Sequence, residues 1–258
     1  MNNDPKLLEK EAYALLSKEN FEEAYKILRR AASIYKSQED HKEAALCFAS
    51  AASCWALKSG EKAFYNSATS YEEAAQEAEA ASDLEYASLL YRYAAISYEK
   101  DTEFINFSEC FYRSRECQRK FFTYCLFRPK KIHHITETKE ARGLRSMSRR
   151  VFLWFTLTFS YLIWGHGERP ARTFFAGFFL ILISAIFYTQ LHLVRQPAVF
   201  KPDFFEAFYF SVITFTTVGY GDITPIGLSK LMAVIEVFCG IFIVPLFIVG
   251  LSRRYLRI

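Results

Sequence analysis

The sequence predicts an all-α chain in two parts: a cytoplasmic solenoid of helical repeats, then two membrane-spanning helices with a re-entrant loop between them. Three observations carry this. Residues 1–125 hold one proline, Pro5, and one glycine, Gly60, amid abundant Ala, Glu, Lys and Tyr, which is a helix-forming composition. Residues 173–194 contain no charged side chain and residues 231–252 only Glu236, so each stretch meets the roughly 20-residue requirement for crossing a bilayer. Between them a short amphipathic aromatic segment runs into Thr216, Thr217, Val218, Gly219, Tyr220, Gly221 and Asp222.

The amino-terminal part carries an internal repeat. Leu28, Ala31, Ala32 and Tyr35 recur as Phe48, Ala51, Ala52 and Trp55, as Tyr71, Ala74, Ala75 and Ala78, and as Tyr91, Ala94, Ala95 and Tyr98, at offsets of 20, 23 and 20 residues. One turn earlier each copy has a small residue, Ala24, Ala44, Ser67 or Ala87. A large group, two alanines and an aromatic on one helical face let neighbouring helices pack closely, and alternating offsets imply a helix-turn-helix unit of 43 residues, the behaviour of a solenoid. A plain helical bundle is the other reading. The pattern resembles tetratricopeptide-type repeats, and Glu22, Glu23, Ala24, Tyr25 and Lys26 with Ala31, Ala32, Ser33, Ile34 and Tyr35 are most similar to the soluble NSF attachment protein branch. The resemblance implies a concave surface that binds a cytoplasmic protein. It departs from standard units, which are about 34 residues long and carry Trp and Leu-Gly marks absent here.

Residues 126–150 read as a basic linker: Arg128, Lys130, Lys131, Lys139, Arg142, Arg145, Arg149 and Arg150 stand against Glu137 and Glu140. Arg253, Arg254 and Arg257 flank the last apolar stretch. Basic flanks mark the cytoplasmic side, so both termini are expected there, which demands an even number of crossings. The apolar stretch 151–164 is short for a span and is expected, with the turn up to residue 172, to lie along the inner surface or insert only partly rather than cross. Residues Trp164, Gly165, His166, Gly167, Glu168, Arg169 and Pro170 are similar to a linker preceding the first span of some bacterial two-helix pore proteins, or form an ordinary glycine and proline turn. A pore domain is then expected over 173–258.

Lys201, Pro202, Asp203 and Glu206 form a helix-start signature, opening a helix over 204–215 whose negative carboxyl end points into residues 216–222. A dehydrated cation needs oxygens in place of its water, and backbone carbonyls supply them when all face one way. Extended backbone alternates its carbonyls, whereas glycine reaches the angles that realign them. Gly219 and Gly221 stand where that freedom is needed, and Val218 and Tyr220 would turn their side chains outward.

The run from Thr216 to Asp222 is similar to a potassium-channel selectivity filter. The resemblance implies a fourfold assembly with potassium coordinated by the carbonyls of Thr217, Val218, Gly219 and Tyr220 and by the Thr217 hydroxyl, with Gly221 completing the filter and Asp222 at the outer mouth. Phe208, Tyr209 and Phe210 would form an aromatic cuff. Where some such channels carry a pore-helix glutamate paired to the outer aspartate, this chain has Ile213.

Glu236 is an intramembrane acid, a functional marker by default. Its expected partners are backbone or hydroxyl groups behind the filter, including Thr214, or else an aqueous crevice. Gly240 and Pro245 are candidate bending points for a gate, although both residues are common in membrane helices. No apolar helix carries arginine at every third position, so no voltage sensor is expected.

The net charge of +4 gathers at the membrane flanks and does not read as nucleic-acid binding. The polar start shows no cleavable signal. Cys47, Cys54, Cys110, Cys117 and Cys125 are expected reduced, with Cys239 in the membrane. No Cys-x-x-Cys pair, histidine metal spacing, phosphate loop or nucleophile elbow appears, so no enzyme and no cofactor beyond potassium ions is expected. Adjacent His133 and His134 read as linker residues. The leading reading is a multi-pass cell-membrane protein, a homotetrameric potassium channel regulated by its repeats. The alternative is a membrane-anchored adaptor with a degenerate pore.

Overall fold

The computed structural model describes residues 4–58, 62–127 and 147–255. Most of the linker, including His133 and His134, lies outside them, as do Gly60 and Arg257. The chain divides into two compact units, residues 1–159 and residues 160–258.

The first unit opens with six helices: α1 (Pro5–Leu16), α2 (Phe21–Ser37), α3 (His41–Leu57), α4 (Ala63–Ala80), α5 (Leu84–Lys100) and α6 (Phe104–Phe127). Each packs on its neighbours in sequence. The repeated alanines form the contact: Ala24, Ala31, Ala32, Ala44, Ala51, Ala52, Ala74, Ala75, Ala87, Ala94 and Ala95 are buried, while Trp55 and Tyr71 are half-buried.

The repeat is more regular than its offsets suggest. Glu19, Glu39, Ser82 and Thr102 all have positive φ, near 60°. After each, an amide reaches back five residues: Asn20 to Leu15 O, Asp40 to Tyr35 O, Asp83 to Ala78 O and Glu103 to Tyr98 O, at 2.9 to 3.0 Å. These are helix stops of the Schellman type, made without glycine. The next residue then caps the following helix where it is aspartate: Asp40 accepts from the Glu43 amide and Asp83 from the Tyr86 amide. Buried Leu8 and Ala12 sit 20 residues before Leu28 and Ala32, and buried Ser114 sits 20 after Ala94. The 43-residue alternating unit is therefore corrected to a helix and turn of 20 residues with one lengthened connection, between α3 and α4.

Polar groups close the packing. Arg29 grips Glu73 with both contacts at 2.6 Å. Burial raises the Glu77 carboxyl, but bonds from Lys36 and His41 outweigh it and hold the group below its usual range. Burial pushes the Cys47 and Cys117 thiols up to about 12 and Cys54 up to about 11. Because the thiolate is the reactive form, Cys47, Cys54 and Cys117 are expected to stay unmodified by a maleimide at pH 7 in the native protein and to react after denaturation. Mass spectrometry checks this, and native labelling of Cys47 at the rate of a free thiol would contradict the packing.

Helix α7 (Met147–Trp164) leads through a short 3-10 turn (Gly165–Gly167) into α8 (Pro170–Tyr188). Then come β1 (Leu193–Arg195), β2 (Ala198–Phe200), α9 (Phe204–Phe215), β3 (Thr224–Pro225) and α10 (Leu228–Tyr255). The strands make one antiparallel sheet in the order β2-β1-β3, with Val194 opposite Val199 and Thr224. Among the described residues, α8 and α10 are the helices long and apolar enough to cross a membrane.

The span expected over 173–194 is thus corrected: the helix begins at Pro170, whose missing amide suits a first turn, and ends at Tyr188. Charge-free sequence continues to Val194, but the Gln190 and Leu191 amides bond back to Phe187 and Tyr188, and β-branched Val194 pairs in the sheet instead. Hydropathy alone does not reveal such an end. The second span, expected over 231–252, extends a turn further at each end.

Candidate functional site

Helix α9 starts as its first residues predict. The Asp203 carboxylate accepts from the Glu206 amide at 2.7 Å, and the Glu206 side chain reaches back to the Asp203 amide. Glu206 also pairs with Arg195 of β1 at 2.9 Å, tying the sheet to the helix start. At the other end Thr216 caps the helix, its hydroxyl donating to Val212 O at 2.7 Å. The carboxyl end of α9 and its partial negative charge therefore lie at the start of residues 216–222.

Two backbone bonds hold that segment on the helix: the Thr217 amide donates to Thr214 O and the Gly219 amide to Ile213 O, both at 3.1 Å. Positive φ recurs at every second residue, Thr217 at 60°, Gly219 at 50° and Gly221 at 79°. Alternating the hand of the backbone in this way turns successive carbonyls toward one side. The sequence pointed to Gly219 and Gly221. The left-handed backbone of Thr217 carries no such signal, because a β-branched residue in that region is an outlier. Its neighbours Val218 and Tyr220 are 53% and 73% exposed in the single chain.

The expected aromatic cuff divides. Phe210 is buried, its ring 4.9 Å from that of Tyr188, and Phe208 packs partly against the same core. Tyr209 turns the other way and donates to Asp222 at 3.0 Å, bracing the far end of residues 216–222 against α9.

Glu236 meets hydroxyl groups, as expected, but those of Tyr188 and Ser211 and not that of Thr214. It is 1% exposed, which excludes a water-filled crevice in the single chain. Tyr188 of α8 donates to Glu236 Oε2 at 2.8 Å and Ser211 of α9 bonds Oε1; Ser211 Oγ also lies 3.0 Å from Ile181 O. One carboxyl thus ties three helices together behind residues 216–222. Glu236→Ala would leave two buried hydroxyls without this acceptor and is expected to cost about 2–4 kcal/mol. Glu236→Gln, which still accepts, should cost less. Thermal unfolding in detergent checks the order of the two, and equal losses would contradict it.

Gly240 lies within an α10 that runs unbroken through Pro245. A Cβ there would sit 2.0 Å from Phe215 O, so close approach of the two helices by itself requires glycine at 240. The Phe215 ring fills the opposite side, 3.2 Å from where a Cβ on Gly177 would stand. Small residues at such crossings let membrane helices meet.

Comparison with known proteins adds to this geometry. Residues 175–257 match the ion-channel family model. Together with the two apolar helices, the match puts this part of the chain in a membrane. The chain is 45% identical over 65 residues to Potassium channel protein 1 of Methanocaldococcus jannaschii, covering 22% of this chain and 20% of that protein. It is 35% identical over 92 residues to the Voltage-gated potassium channel Kch of Escherichia coli, covering 33% and 22%, and 47% identical over 47 residues to Potassium channel subfamily T member 1 of Gallus gallus, covering 18% and 4%. The chain therefore spans about a fifth of the length of the first of these relatives. No solved structure matches it. These relatives are potassium channel proteins, not enzymes.

Proposed function

We propose that four copies of this chain assemble around residues 216–222 to form a passive, potassium-selective pore, with both termini on the cytoplasmic side. The carbonyls of Thr217, Val218, Gly219 and Tyr220 and the Thr217 hydroxyl hold potassium in place of its water, and Asp222, held by Tyr209, stands at the outer mouth. The observation that carries this reading is the positive φ at every second residue from Thr217 to Gly221. That backbone serves inward dipoles and serves no strand. Non-helical backbone at membrane depth must be buried or line water, and Val218 and Tyr220, exposed in one chain, need neighbouring copies to cover them.

The helices α1–α6 form a regulatory repeat domain with a concave face for a cytoplasmic protein, and α7 lies at the inner surface. Its exposed Phe152, Phe155, Phe159 and Leu162 recur three or four residues apart, which places them on one helical stripe. Gating does not use a voltage sensor. Gly240 and Pro245 remain the places where α10 would bend on opening.

Reversal potentials of the purified protein in planar bilayers test the reading. The potential is expected to follow the potassium gradient, and a pore equally permeable to sodium would defeat it.

A further inference from the structure

The turn between α7 and α8 is built on three successive residues with positive φ, Gly165 at 55°, His166 at 57° and Gly167 at 88°, all buried. Left-handed backbone on a histidine persists only where its surroundings over-determine it. Here both sides do so.

Toward α7, His166 Nδ1 is 3.1 Å from Ser160 Oγ, the hydroxyl that also accepts Trp164 Nε1 at 2.7 Å. Arg172 of α8 donates to Tyr161 O at 3.0 Å and lies over the Tyr161 ring at 4.5 Å. Toward α10, Arg254 donates to Glu168 O at 3.2 Å. A Cβ on Gly167 would lie 3.1 Å from Arg253 Nη1, and one on Gly250 would lie 3.4 Å from Pro170 Cβ and 3.9 Å from Gly167 O. The end of α10 farthest from residues 216–222 thus meets the turn through one hydrogen bond and close approach at two glycines.

We infer that residues 165–170 are a latch that couples the position of α7 to the last turns of α10 and so to the opening of the pore. The inference rests on the pore reading of residues 216–222. The repeat helices precede α7 in the chain, so a signal passed along the chain from the repeats reaches the inner helix through this turn. Glycines at 167 and 250 let the two elements approach, and Arg254 closes the contact with a hydrogen bond. In the latch, moving the end of α7 either carries α10 with it or breaks the Arg254 bond.

Full-length wild type, Arg254→Ala, Arg254→Lys and Gly250→Leu are compared by single-channel recording and by hydrogen exchange of α10. Arg254→Ala is expected to change open probability about tenfold, the loss of one hydrogen bond to a charged group, Gly250→Leu to change it by a similar factor because its side chain would drive α10 off Pro170, and both to speed exchange in the last turns of α10. The reversal potential should not move, and Arg254→Lys, which can still donate to the Glu168 carbonyl, should restore most of both effects. Open probability and exchange within twofold of wild type in both disruptive variants would overturn the latch. If the wild type carries no potassium current, the pore reading fails, while the exchange rates still decide whether the turn holds α10.

Discussion

Gly219→Ala is expected to abolish potassium selectivity while leaving a folded, assembled protein. Gly219 sits at φ 50° with nothing within 4 Å of the place a Cβ would occupy in the single chain. The penalty is therefore conformational, roughly 1–2 kcal/mol for an L-residue held in the left-handed region, and it is met once per copy around the proposed axis. The strain is relieved by rotating the peptide between residues 218 and 219 or between 219 and 220, which carries a coordinating carbonyl out of line. Recordings with potassium on one side and sodium on the other measure the effect. Unchanged selectivity in a variant of native size would mean that these carbonyls are not what discriminates between the ions. A membrane-anchored adaptor with a degenerate pore would tolerate the same change.

Gly240→Ala should do the opposite, leaving residues 216–222 chemically intact and removing their support. The added methyl would lie 2.0 Å from Phe215 O and 3.0 Å from Phe215 C, and neither backbone atom can swing aside as a flexible side chain would. Helix α10 must back away from the end of α9. Glu236 lies one turn earlier on α10 and Ser211 one turn earlier on α9, so the same displacement pulls apart the bond between them. Overpacking of this kind costs about 3 kcal/mol or more when the backbone must move. The variant is expected to unfold at markedly lower temperature in detergent and to give little or no current. Native stability together with altered gating would instead favour Gly240 as a bending point.

Much of the membrane unit was legible because its signals are local. A capping box is four residues long, so Asp203 and Glu206 announced the start of α9 without help from the rest of the chain. Spans follow from apolar length, and only their ends misled, since Leu191 and Val194 are as apolar as the helix they leave. In the repeat unit, the alanine faces showed in the sequence because close packing needs small residues at fixed spacing. The stops between helices did not: Glu19, Glu39, Ser82 and Thr102 occupy backbone angles usually marked by glycine, and the bonds that hold them there span five residues of folded chain.

Composition and periodicity thus determined that this chain is helical and that two of its segments suit a bilayer, while the filter reading of residues 216–222 came from their resemblance to potassium channels. The folded chain decided the rest. Only there does Glu236 meet Tyr188 and Ser211, does Gly240 meet the Phe215 carbonyl, and does Arg254 meet the Glu168 carbonyl. These partners lie 25 to 86 residues apart. A contact across such a separation depends on how helices cross, and crossing is set by the shapes of all the side chains between them, which no short stretch of sequence contains.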